Sequence, residues 1–341
     1  MGDTSIQWTD KTWNPVRGCS RVSPGCENCY AERMAARFAD PGAPFDGFAW
    51  RGKNGPRWTG KLTLVADKLT DPLRWRKPCR IFVNSMSDLF HEALTDEEIA
   101  AVFGVMAACP HHTFQVLTKR AERMAQWFEW IKRSARFCPP QALCQDHGGN
   151  HVGRNLRAKR LEDVPPWPLR NVWIGVSAED QQRADERIPH LLRCPAAVRF
   201  LSAEPLLGPV RLSDEWLRCP GGAEYGHGFS RTVVHADGCC ANAARVDWTI
   251  VGGESGPGAR LMDLAWARSI VAQCKSAAVP VFVKQLGAAA CDARNGIAGA
   301  QLSIPQEAAG LVSLRLRDRK GGDMSEWPED LRIREFPKAA P

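Results

Sequence analysis

"NVWIGVSAEDQQRADERIPHLLRCPAAVRFLSAEP", Asn171 to Pro205, places two continuous apolar runs, VWIGVS and VRFLSA, on either side of a charged segment of helical length. Neither run alternates polar with apolar residues, so each reads as a strand buried on both faces of a parallel sheet. Two parallel strands need a crossover, and "AEDQQRADERIPHLLR" supplies a helix between them. The same unit recurs outward in both directions. Further strands are expected at "RIFVNS" (80–85), "FQVLTK" (114–119), "WTIVGG" (248–253) and "VFVKQL" (281–286). Helices are expected at "TDEEIAAVFGVMAAC" (95–109), which opens on a Thr95 cap and an acidic first turn, at "RAERMAQWFEWIKRSA" and at "LAWARSIVAQCKSA". A short first strand near "TWNPVRG" brings the strand count to seven. Such alternation belongs to a TIM-like parallel β/α barrel, complete or partial, or to an open doubly wound sheet; the TIM-like barrel is the fold expected here.

Two segments break the rhythm, 136–170 and 211–246. Both are rich in Gly, Pro, Cys and His and read as loop insertions. The expected organisation is a barrel domain over 1–288 carrying these insertions, and a C-terminal extension over 289–341 packing on the barrel.

The chain has 341 residues and a net charge of +7 from 45 basic and 38 acidic side chains, which suits an anionic partner such as nucleic acid without requiring one. No apolar run approaches the about 20 residues of a membrane span, and no secretory leader opens the sequence, so the expectation is a cytoplasmic protein with no membrane partner. In that compartment 13 cysteines point to metal binding, catalysis or burial rather than to disulfides.

"GCSRVSPGCENCY" (18–30) separates Cys19, Cys26 and Cys29 by six and then two residues. Thiolates select zinc or iron–sulfur clusters. Three of them leave one iron of a four-iron cubane without a protein ligand, whereas structural zinc wants a fourth ligand that the nearby sequence does not offer. The plain alternative is three buried thiols. Ligand types at zinc-like spacings also occur in the insertions, at Cys138, Cys144, His147 and His151 and at Cys219, His227, His235, Cys239 and Cys240, so zinc in an insertion is a second metal reading. The tryptophans read as barrel packing rather than as base-stacking platforms.

Ligands of parallel α/β folds sit at the carboxyl ends of the strands, and here those ends are polar: Asn84, Ser85, Ser87 and Asp88; Lys119 and Arg120; Ser177 and Glu179; Ser202 and Glu204; Glu254; Lys284. Helix capping is the structural alternative for such residues. It accounts poorly for Glu179, Glu204, Glu254, Lys119 and Lys284, so a polar pocket is expected.

The stretches "QWTDKTWNP" and "GCSRVSPGCENCYAERMA" resemble a phage- and prophage-associated family of uncharacterised proteins recognised by its three-cysteine motif. So do "SMSDLFHEAL", "VLTKRAERM", "NVWIGVSAEDQQRADERIPHLL", "VRFLSAEPLLGPV", "DWTIVGGESGPGARLM" and "VPVFVKQLG". The likeness spans residues 4 to 288. That family is in turn similar to radical S-adenosylmethionine (SAM) enzymes in the order of its elements, although their motif has three rather than six residues in the first gap. The resemblance implies a [4Fe–4S] cluster on Cys19, Cys26 and Cys29, with SAM on the remaining iron. Of the polar strand ends, Ser85, Ser87, Asp88, Ser177 and Glu179 are expected to bind the cofactor, and Lys119, Glu204, Glu254 and Lys284 to be the catalytic residues. The resemblance also implies an electron donor and a nucleic acid, nucleotide or protein substrate. The reading from a different class is a non-enzymatic zinc- or cluster-binding protein that binds nucleic acid or serves as a phage accessory.

Overall fold

The computed structural model describes residues 4–53, 55–158, 163–218, 244–292 and 312–338. Seven strands make one parallel sheet: β1 Lys11–Trp13, β2 Arg80–Val83, β3 Thr113–Thr118, β4 Val172–Ser177, β5 Val198–Ala203, β6 Trp248–Gly252 and β7 Val281–Gln285. They pair in chain order from β1 to β7. A doubly wound sheet reverses its order at a switch point; this one does not, and it curls into a half-barrel flanked by helices. The expected barrel is therefore partial, and β1 and β7 are its two edges.

The β7 edge is covered by the C-terminal chain. Val283 N–H donates to Ile333 O, Glu335 N–H donates to Val281 O, both at 2.9 Å, and Arg334 bridges Phe282 in antiparallel sense. An open strand edge is a pairing hazard, and a covered one is not. Farther up, Ala290–Asp292 pairs in parallel with Met262–Asp263 and antiparallel with Val312–Ser313.

The pleat divides the core. Ile81, Val83, Val116, Ile174, Val176, Leu201, Val251 and Val283 face the helices on the convex side. On the concave side, Trp8, Trp173, Phe200, Trp248 and Phe282 pack together with Phe82 and Phe336. Trp8 lies 4.7 Å from Phe82 and 6.3 Å from Trp248, ring centre to ring centre, so it plugs the half-barrel. Gly175 leaves room for this layer, because a Cβ there would fall 2.5 Å from the Phe200 ring.

The described helices of eight residues or more are α1 Tyr30–Arg37, α2 Asp96–Ala107, α3 Ala121–Ser134, α4 Pro140–Val152, α5 Gln181–Arg193 and α6 Leu264–Ser276. Thr95 caps α2 as expected, in a reciprocal box with Glu98. The loop expected over 136–170 is corrected: its first half is α4, which packs closely on α2. A Cβ at Gly104 would lie 2.0 Å from the Cys144 carbonyl oxygen, and one at Gly148 would lie 3.0 Å from that of Ala101. Of the second insertion, 211–218 and 244–246 are described, with a short helix at Asp214–Leu217. Residues 219–243, with Cys219, His227, His235, Cys239 and Cys240, lie outside the described residues.

Gly104→Val tests the α2–α4 contact. Overpacking so close an approach should lower unfolding stability by about 1–3 kcal/mol, read from the denaturant midpoint. An unchanged midpoint would mean that α4 does not pack where the structure puts it.

Candidate cysteine site at the mouth of the half-barrel

Beyond β1, Val16–Arg17 pairs antiparallel with Thr63–Leu64, and Gly18 then bridges Ser87 at the end of β2. Gly18 has φ +94°, and a Cβ there would lie 2.0 Å from Lys61 O, so only glycine fits this entry to the cysteine loop. From here the chain crosses the carboxyl ends of the strands and is tied to them one after another. Arg120, after β3, donates from Nη2 to Ser20 O at 3.1 Å and Oγ at 2.8 Å, and His91 Nε2 lies 2.8 Å from Ser20 Oγ. Glu179, after β4, accepts from Gly25 N–H at 3.2 Å. Glu254, after β6, accepts from Asn28 Nδ2 at 2.9 Å, and Arg260 donates to Pro24 O at 2.9 Å.

The three thiols share this loop; Cys26 and Cys29 act electrostatically on Cys19, and Cys26 on Cys29. Burial, reinforced by Asp88, pushes the Cys19 thiol up to about 12, while Arg120 pulls against it with Nη1 3.9 Å from Sγ. Burial also raises Cys29, with Lys119 among the groups opposing it. Burial thus disfavours the thiolate at Cys19 and at Cys29. Gly25 sits between Cys19 and the Cys26–Cys29 pair, and a Cβ there would lie 2.9 Å from Glu179 Cδ and 3.2 Å from Lys119 Cε. The loop therefore rests directly on two strand-end side chains.

All of the expected strand ends converge on this side, with differing duties. Ser85 Oγ donates to Asn14 Oδ1 at 3.2 Å, and Ser87 Oγ donates to Val16 O at 3.0 Å. Asp88 accepts from Phe90 N–H (3.0 Å), Thr118 Oγ1 (2.7 Å), Lys119 N–H (3.2 Å) and Arg120 Nη1 (3.2 Å), so both of its oxygens are taken. Ser177 offers its carbonyl to Arg187 Nη1 at 2.7 Å, and the same nitrogen holds Glu179 at 2.9 Å. Burial works to raise Glu179, but Lys119 and Arg187 outweigh it and hold the carboxyl below its ordinary range. Glu254 is likewise held low against burial by Arg260 and Asn28. Glu204 pairs with Lys284 at 2.9 Å, over a Gly252 whose Cβ would lie 2.5 Å from Glu204 Oε1.

Capping thus explains none of the three glutamates, since Asp180, not Glu179, caps α5. Sequence reasoning missed Arg187 and Arg260 as members of the site. Arg187 is one helical residue among several arginines, and only the fold carries it back to Glu179.

Among the described residues, no three His, Cys, Asp or Glu side chains are arranged to hold a metal ion. Cys144 of the first insertion is buried, and no such grouping forms around it. A single zinc draws its thiolates to about 2.3 Å of one point, whereas an iron–sulfur cubane takes one thiolate at each corner and spreads them. The loop supplies three cysteines, of which Cys19 and Cys29 are desolvated, with the cations Arg120 and Lys119 beside them; these are donor types that either centre can use.

Glu179 gives an acid-stability signature. Its folded carboxyl titrates below the unfolded one, so its stabilisation is complete above the ordinary carboxylate range and is lost as pH falls through the folded value. Glu179→Gln should therefore lose less stability than wild type as pH falls from neutrality below about 4. Parallel acid-unfolding curves would show that the pair with Arg187 carries no linkage.

No protein of curated function and no solved structure matches the chain. A family model does, over residues 3–321, nearly the whole length. The chain belongs to the family described as "Protein of unknown function (DUF5131)".

Proposed function

We propose that Cys19, Cys26 and Cys29 hold a [4Fe–4S] cluster and that the chain is a radical-SAM-like enzyme acting on a nucleic acid, nucleotide or protein. The observation that carries this reading is the clamping of a three-thiol loop across the carboxyl ends of a singly wound parallel half-barrel, where such folds place their ligands. Bound there, the cluster would offer one iron to the amino and carboxylate groups of SAM and an electron to cleave it, which requires an external one-electron donor.

The chain's own residues have separable tasks. Lys119, which also acts on Glu179, sits beside Cys29, where it offsets the negative charge of ligating thiolates. Asp88, with both oxygens occupied, positions Arg120 and the loop after β3. Glu204 Oε2 has only a 3.5 Å contact from Ser202 Oγ and is the least committed carboxylate of the mouth, so it is the acceptor available to an ammonium group or a substrate proton. Lys284 pairs with its other oxygen at 2.9 Å. No described helix is long and apolar enough to cross a membrane.

Two outcomes test the proposal. After anaerobic loading, Cys19→Ala, Cys26→Ala and Cys29→Ala should each lose iron, while Cys109→Ala and Cys274→Ala, buried in the core, keep it. A colourless wild-type protein with stoichiometric zinc would instead support a structural metal protein. In the dithionite-reduced, loaded protein, SAM should yield methionine and 5′-deoxyadenosine. Glu204→Gln should retain iron but weaken SAM binding by about 10- to 100-fold, the loss of one charged hydrogen bond. A fully loaded cluster that leaves SAM intact would end the radical reading.

A further inference from the structure

We propose that the lobe over residues 30–61 binds single-stranded nucleic acid and presents it to the cysteine mouth; the mouth's role rests on the reading above, the binding itself does not. The lobe comprises α1 and the hairpin Ala49–Gly52/Gly55–Trp58, joined by a small core of Ala35, Ala36 and Ala49 with Phe45 and Trp58 against it. Arg51 fixes the hairpin to the end of α1, donating from Nε to Ala36 O at 2.7 Å and from Nη2 to Arg37 O at 3.0 Å. The lobe is continuous with the mouth. Its helix starts directly after Cys29, and Arg33 Nη2 reaches Ser255 O, next to Glu254, at 3.3 Å.

Its surface chemistry differs from that of the mouth. Arg33, Arg37, Arg51, Lys53, Arg57 and Lys61 make no ion pair among the described residues, whereas Arg120, Arg187 and Arg260 are all paired. Of the lobe's acids, Glu32 is buried against Arg21, leaving only Asp40 and Asp46 at the surface. Six cations against two exposed carboxylates make a surface that attracts anions, and arginine suits phosphate best.

The aromatic residues add what a phosphate site alone lacks. Five large apolar or aromatic side chains are exposed among the described residues, and three belong to this lobe: Tyr30 at 64%, Phe38 at 49% and Trp50 at 50%. Trp50 pairs across the hairpin with Arg57, on the face opposite Arg51 and therefore away from α1. Gly52 follows two residues later on the same face, and a Cβ there would lie 2.0 Å from the Trp50 ring. The indole thus lies flat against the hairpin backbone, held in place by a glycine, with its other side in solvent. A flat, supported indole beside unpaired arginines is a platform for an unstacked base and its phosphate. Duplex hides its base faces, and an anionic membrane is better met by a continuous apolar face than by single rings separated by cations.

The test is fluorescence anisotropy with a labelled oligothymidine strand, a duplex of equal length, and vesicles of phosphatidylserine and phosphatidylcholine, using the full chain with and without iron loading. The strand should bind in both states and more tightly than duplex, with no vesicle binding. Trp50→Ala should weaken strand binding about tenfold and Trp50→Phe much less, with unfolding midpoints unchanged. Arg37→Glu combined with Lys53→Glu should lower the salt slope by about two. Equal affinity for duplex, indifference to Trp50→Ala, or binding to vesicles but not to the strand would each overturn the proposal. Failure to load iron with the strand still bound would count against the cluster alone.

Discussion

A row of buried carboxylates at the strand ends holds this structure's distinctive feature in place. Asp88 fixes Arg120, and Glu179 and Glu254 hold the cysteine loop directly. Isolated charges in such positions are costly, and each is tolerated because an arginine and further hydrogen bonds satisfy it. The same bonds tie residues 18–29 to the sheet through contacts that close sequence intervals of 100 to 236 residues. Without them the loop would be a short glycine- and proline-bearing excursion with no fixed relation to β3, β4 or β6. With them, the loop that carries the three thiols is fixed over the half-barrel.

The partial closure of the barrel follows a similar logic. Seven strands in simple order could curl until β1 met β7, but residues 333–335 occupy the β7 edge. Phe336 then stacks on Trp248 at 5.4 Å, so the C-terminal chain helps to fill the concave side as well as to cover the edge. The half-barrel is floored by aromatic rings and roofed by the cysteine loop, with the Glu204–Lys284 pair between strand ends. That layering puts the apolar packing at one end and the chargeable groups at the other, as ligand-binding parallel folds do.

The strands were legible because a strand buried on both faces leaves an uninterrupted apolar run, and VWIGVS, VRFLSA and WTIVGG are such runs. The convergence of Lys119, Glu179, Glu204, Glu254 and Lys284 followed from the direction of those strands alone. What the local sequence could not reveal was tertiary. Helix α4 contains Gly148, Gly149 and two histidines, a poor helical composition, and forms because Gly104 and Gly148 let it seat on α2. The edge role of residues 333–335 and the pairing of Arg187 with Glu179 likewise have no local signature. Trp50 departs from the packing expected of the tryptophans because it lies on the outer face of a hairpin too small to bury it.

The central claim is that Cys19, Cys26 and Cys29 hold one multi-iron cluster rather than a single ion or nothing. X-ray absorption at the iron edge of anaerobically loaded wild-type protein addresses it directly. The account predicts a sulfur-dominated first shell together with iron–iron scattering, both lost in the Cys26→Ala protein. Iron bound without iron–iron scattering, or a spectrum unchanged by Cys26→Ala, would contradict it.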